Sequence, residues 1–193
     1  TAPSVPLNLQ ATVISATQIN LSWTTPTQGT VVNYRLERCT GAGCSSFTEI
    51  ATPTATGYPD TGLTAGTTYS YRVRATDGST VSPYTNVVSA TTQSTPSAPL
   101  NLVATPISST QITLTWTVPA EGVVTEYRVE RCTGAGCSGF VEIGQPTTTT
   151  YPDSGLTAST SYSYRVRATD GITLGPYSST VSATTLASGG TLP

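Results

Sequence analysis

The chain has 193 residues, of which 9% are charged, with a formal net charge of −2 and a pI near 4.9. That balance offers no basic field for nucleic acid or anionic lipid, and no apolar run approaches the roughly 18 residues of a membrane-spanning helix. All eight cationic residues are Arg, and Lys, His and Met are absent, which removes the commonest general base, the commonest metal ligand and any Schiff-base amine.

Along the chain, Ile19, Leu21 and Trp23 alternate with Gln18, Asn20 and Ser22, the period of a half-buried strand. A Thr-Gln-Gly turn at 27–29 follows. Tyr34 and Leu36 then alternate with Arg35 and Glu37 on a strand that runs to Cys39. Thr-Gly-Ala-Gly at 40–43 makes the next turn, before Cys44 and Phe47, and Tyr58-Pro59-Asp60 reads as another. Tyr69, Tyr71, Val73 and Ala75 alternate with Ser70, Arg72 and Arg74. Asp77-Gly78 is a tight-turn signal, and Val88 with Ala90 closes the series. No helical stripe competes with these strands, so the pattern predicts an all-β sandwich or barrel.

From Pro99 the same order recurs at an offset of 93, placing Trp23 on Trp116, Cys39 on Cys132 and Tyr69 on Tyr162. Roughly two-thirds of the aligned positions are identical, the mark of a duplicated unit of domain size. The expected domains are residues 1–93 and 94–186. A Pro-bearing linker spans Gln93 to Pro99, and residues 187–193 read as a flexible tail or a linker to a further module.

The order Pro-x-x-Pro-Leu-Asn-Leu, then Trp23, then Tyr34-Arg35-Leu36, then Gly62-Leu63-Thr64-Ala65-Gly66-Thr67-Thr68-Tyr69-Ser70-Tyr71-Arg72-Val73-Arg74-Ala75 resembles the fibronectin type III domain. Both halves carry it over nearly their full length. The resemblance implies two tandem seven-stranded antiparallel β-sandwiches of immunoglobulin-like type. Trp23 and Trp116 would then fill the cores between sheets of three and four strands, with Leu63 and Leu156 beside tyrosine corners at Tyr69 and Tyr162. The fold alone assigns no function.

Each half holds one Cys-Thr-Gly-Ala-Gly-Cys segment, Cys39 to Cys44 and Cys132 to Cys137. Two thiols per domain make half a structural zinc site, and no His can complete it. An even count, identical spacing and two glycines in the loop favour a disulfide within each hairpin over free or metal-bound thiols. Closing so short a loop contributes about 2 kcal/mol in the chain-entropy model, and it implies an oxidising compartment. The composition and the local disulfide resemble the bacterial extracellular variant of the family.

Arg35, Arg72 and Arg74, with Tyr84 alongside and Glu37 and Glu49 among them, are expected on one outward sheet face. Arg128, Arg165, Arg167 and Tyr177, with Glu130 and Glu142, repeat the set. Two readings compete: a binding face for an acidic partner or a glycan, and a cross-strand ladder that keeps the sheet soluble. Mixed signs in both copies favour the ladder. Asp60 with Asp77, or Glu37 with Glu49, are the acid pairs available for glycoside hydrolysis. Each of these carboxylates is expected on a turn or a solvated strand face, so no catalytic residue, cofactor or metal is assigned.

The reading is therefore a non-catalytic spacer or structural repeat of a secreted or cell-surface protein, within an array or fibre. The alternative is an accessory carbohydrate- or protein-binding module of a secreted polysaccharide-degrading enzyme or adhesin. Expected partners are neighbouring modules or subunits meeting the Thr1 and Pro193 poles end to end, a glycan or another surface protein, with no nucleic acid and no membrane insertion.

The disulfides are open to direct measurement. Intact mass spectrometry of protein taken from its native compartment should find the chain lighter than its reduced form by about four hydrogens, two per bridge. Alkylation of four thiols under denaturing, non-reducing conditions would overturn the pairing.

Overall fold

The computed structural model describes residues 1–134 and 136–189, so the end of the expected tail and the Pro193 pole lie outside the described residues. The chain divides into two units, Thr1–Ser94 and Thr95–Pro193.

In the first unit the strands are β1 (Leu7–Val13), β2 (Gln18–Thr24), β3 (Asn33–Thr40), β4 (Thr48–Ala51), β5 (Gly57–Thr61), β6 (Thr68–Thr76) and β7 (Val88–Thr91). They form two antiparallel sheets, ordered β1-β2-β5 and β4-β3-β6-β7. Period-two alternation turns Ile19, Leu21 and Trp23 of β2 inward against Tyr34 and Leu36 of β3 and Tyr71, Val73 and Ala75 of β6. Trp23 meets Tyr34 edge to face at 5.3 Å between ring centroids, the arrangement that aromatic quadrupoles favour. Tyr69 Oη accepts a hydrogen bond from the Thr64 N–H at 2.9 Å, fixing the corner before β6, and Leu63 lies buried beside it.

Two details of the first unit depart from the sequence reading. Tyr58-Pro59-Asp60 is not a turn: it lies within β5, where Pro59 pairs with Asn20. A proline is tolerated there because β5 is an edge strand whose outer side needs no ladder donor. Asp60 is consequently buried, at 4% exposure, rather than solvated. Arg38, next inward after Leu36 on β3, reaches across the core to it, and its Nη1 donates to both carboxylate oxygens at 2.8 and 2.9 Å. The Tyr71 hydroxyl donates to the same carboxylate at 2.9 Å. Burial, and then the carboxylate beside it, push the Tyr71 phenol well above its ordinary pKa, so it remains a donor at any physiological pH.

The second unit repeats this plan with β8 (Leu100–Pro106), β9 (Gln111–Thr117), β10 (Glu126–Thr133), β11 (Val141–Gly144), β12 (Thr150–Ser154), β13 (Ser161–Thr169), β14 (Leu174–Tyr177) and β15 (Val181–Thr184). Its sheets run β12-β9-β8 and β11-β10-β13, with β14 and β15 both paired to β13. Trp116, Leu156 and Tyr162 lie in its core, and Tyr162 Oη accepts from the Thr157 N–H at 3.0 Å. Arg131, Asp153 and Tyr164 rebuild the buried charged triad.

An eighth strand thus appears where seven are expected. In the first unit the Ser82 hydroxyl takes the Ala75 N–H at 2.9 Å, in place of a ladder carbonyl. The corresponding position in the second unit is Gly175, which has no side chain to intervene, and the backbone pairs on as β14.

Glycine is required where the opening segment crosses a loop. Gly29 has φ +81°, and a Cβ there would sit 2.6 Å from Pro3 Cα; Gly122, at φ +84°, approaches Pro96 as closely. The crossings are held by the Ser4 N–H to Gln28 carbonyl bond and by its repeat, Ser97 to Glu121, each 2.9 Å.

Removing Asp60 leaves a half-buried guanidinium and a buried phenol without an acceptor, so Asp60→Ala should destabilise the first unit by about 2 kcal/mol. Chemical denaturation followed through Trp23 emission in a Trp116→Phe background measures this. A loss below about 1 kcal/mol would reduce the triad to a surface-type ion pair.

Candidate functional site

The outer face of the sheet β4-β3-β6-β7 collects the residues expected to form a binding surface. In the β3–β6 register Arg35 stands opposite Arg74 and Glu37 opposite Arg72, and on the other side Glu37 faces Glu49. Glu37 is not solvated, as the sequence reading had it. It is 8% exposed, because Arg72, Tyr84 and their neighbours close over it. Arg72 donates through Nε at 2.8 Å and through Nη2 at 2.6 Å to a single carboxylate oxygen, and the Tyr84 hydroxyl donates to the other. The guanidinium of Arg72 lies between two rings, 4.3 Å from Phe47 and 4.0 Å from Tyr84, while Arg74 rests on Tyr84 at 4.5 Å. Such stacks combine dispersion with attraction to the ring quadrupole.

Phe47 follows the bridged loop. Cys39 and Cys44 are joined with their Cα atoms 6.0 Å apart, and Cys132 and Cys137 match them. Gly41 and Gly43 both take positive φ within the loop. The bridge closes the chain between β3 and the ring that caps Arg72. The second unit reproduces the stack: Arg165 holds Glu130 at 2.6 Å and lies 4.3 Å from Phe140 and 3.9 Å from Tyr177, whose hydroxyl also reaches Glu130.

Burial alone would raise the Glu37 pKa. The hydrogen bonds from Tyr84 and Arg72 and the charges of Arg72 and Arg74 outweigh it, holding the carboxyl below its ordinary 4.5. Glu130 is held low by the same balance, with Tyr177, Arg165 and Arg167 as its partners. The expected acid pairs are thus disposed of differently. Glu37 and Glu49 do stand side by side, but Glu37 already accepts from two residues. Asp60 is locked in the core, and Asp77 serves its own turn, accepting from the Ser79 and Thr80 N–H groups at 2.8 and 2.6 Å. Those bonds bring the Asp77 pKa down to about 2. Glu49 alone of the four stays exposed, with Arg35 3.7 Å away as its nearest cation.

Among the described residues no group of three or more His, Cys, Asp or Glu could hold a metal ion. A groove of about 530 Å³ runs between Val5–Leu9 and Tyr84–Val88 in the first unit, with no acidic or basic side chain in its lining. The residues that sequence reasoning passed over are Arg38 and Arg131. Their signal was parity: each follows two inward residues at the same spacing, which places a guanidinium toward the core and demands a buried acid.

Two stacked antiparallel sheets, closed by a tyrosine corner over a tryptophan core, define an immunoglobulin-like sandwich. The Fibronectin type III domain model matches residues 2–91 and 97–184, and the chain belongs to that family. It is 39% identical over 183 residues to Exoglucanase B of Cellulomonas fimi, covering 88% of this chain and 15% of that protein. It is 34% identical over 175 residues to Chitinase A1 of Niallia circulans, covering 88% of this chain and 24% of that protein. A solved structure of chicken CNTN1 FN1-FN3 domains aligns over 95% of this chain and 68% of its own at 18% identity, with a TM-score of 0.48. The chain therefore spans under a quarter of the length of the two curated relatives.

A carboxyl held below its ordinary value contributes stability that is complete above that value and drains away as pH falls through the depressed one. Unfolding midpoints of the native chain should accordingly begin to fall as the pH drops below the ordinary carboxyl value of 4.5. A Glu37→Gln, Glu130→Gln variant should be less stable at pH 7 and follow a flatter pH profile; parallel profiles would contradict the assignment.

Proposed function

We propose that the chain is a non-catalytic spacer, a pair of rigid β-sandwich modules within a longer secreted bacterial protein, joined at its poles to neighbouring modules or subunits. One observation carries the reading. Its matches cover nearly nine-tenths of this chain but under a quarter of proteins named for action on polysaccharides. A segment beside a catalytic part, and not the part itself, fits that proportion. The paired cysteines support an oxidising, extracellular setting, and no helix among the described residues is long and apolar enough to cross a membrane.

The competing reading, an accessory binding module, calls for an open aromatic platform. Trp23 and Trp116 are core residues, and Tyr84 and Tyr177 are stacked against arginines, which leaves the spacer reading better supported.

The test is replacement within the parent protein. Exchanging this chain for an unrelated tandem sandwich pair of equal length should preserve the parent's activity and display, and the purified chain should wash freely from cellulose and chitin. Retention on either solid, or loss of activity on exchange, would overturn the spacer role.

A further inference from the structure

The two copies of the sheet face are not equivalent, and the difference lies in charge. In the first unit Arg35 and Arg74 are directly opposed on β3 and β6, a juxtaposition of like charges that costs stability unless an anion lies near. Arg35 reaches only Glu49, at 3.7 Å, with the two side chains 44% and 40% exposed, a pairing of little value in solvent. Arg74 forms no ion pair among the described residues and rests on the Tyr84 ring; its Nε is buried without a hydrogen-bond partner, as is the Nε of Arg167 in the second unit. The hydrogen-bond partners of Glu37 are Arg72 and Tyr84, so Arg74 acts on it through charge alone.

The second unit opposes Arg128 and Arg167 in the same register. There Glu126 replaces Asn33 of the first copy and clasps Arg128 at 2.7 Å, with Glu142 at 3.4 Å on the same guanidinium. Arg167 leans to Glu130 at 3.8 Å. Three glutamates answer three arginines in the second unit, and two answer three in the first.

We propose that Asn33, Arg35 and Arg74 form a binding site for the carboxylate of a uronic acid residue in a polysaccharide, and that the second unit lacks this site. Two guanidinium groups on neighbouring strands suit the two oxygens of a carboxylate. Asn33, two residues from Arg35 on the same face, supplies an amide that both donates to and accepts from hydroxyls, so the trio matches a sugar carrying an acid beside its hydroxyls. The net charge of −2 works against a dense polyanion and favours acids spaced among neutral sugars. The site adds a local contact to the spacer role and does not depend on it.

The test titrates the isotope-labelled full chain with glucuronoxylan oligosaccharides, neutral xylan oligosaccharides and a Glu-rich peptide, reading the arginine Nε–H signals by NMR. Glucuronoxylan fragments should shift Arg35 and Arg74 and leave Arg128 and Arg167 in place, and neutral fragments should shift none of them. Asn33→Glu, which the second unit shows to be compatible with the fold, should weaken binding by about tenfold or more. Glu126→Asn should create the response in the second unit. Unmoved Arg35 and Arg74 signals, equal shifts in both units, an equal response to neutral xylan, or tighter binding of the peptide would each overturn the proposal. Because cellulose and chitin are neutral, this outcome is separate from that of the spacer test.

Discussion

The contact on which each sandwich most depends is the buried carboxylate of Asp60, or Asp153, held between an arginine and a tyrosine from the opposite sheet. A small sandwich has only apolar contact between its layers, which is non-directional and tolerates sliding. An ion pair in which one guanidinium nitrogen is shared by both carboxylate oxygens, with a third hydrogen bond from a phenol, does not tolerate it. It ties the edge strand β5 of one sheet to the inner strands β3 and β6 of the other. Such a pair is costly to desolvate, and its contribution is to the uniqueness of the packing more than to net stability.

From that anchor the outer face follows in order. With β3 and β6 in register, Glu37 and Arg72 must meet, and Tyr84 can close over them. The ring of Phe47, delivered by the bridged loop, then covers the other side of the guanidinium. A surface that reads as a row of charges is built as a layered solid, with most of its polar groups satisfied internally. Where the second unit has Glu126 the first has Asn33, and Arg35 is left with Glu49 alone at 3.7 Å.

Alternation and the repeat were enough to read most of the fold, because side-chain parity and a tryptophan between sheets leave direct traces in the order of residues. The misreadings have specific causes. Pro59 looks like a turn residue because its meaning depends on whether the strand is at an edge, which local sequence does not state. Glu37 looks solvated because its parity is outward, and the aromatic and arginine cover that buries it comes partly from Tyr84, 47 positions along the chain. The partner of Arg38 lies 22 positions away, on the opposite sheet. The candidate face was legible as a set of residues; which of its members remain free was not, since that is a matter of distances.

The placement of the arginines has a further consequence for resistance to proteolysis. All eight lie on the inner strands β3, β6, β10 and β13, and with no lysine they are the only bonds open to a protease that cuts after basic residues. The stretch from Gln93 to Pro99 contains none of them. Such a protease must wait for a whole sandwich to open, because inner strands exchange only through global unfolding. Digestion rate then becomes a gauge of folding stability, one domain at a time.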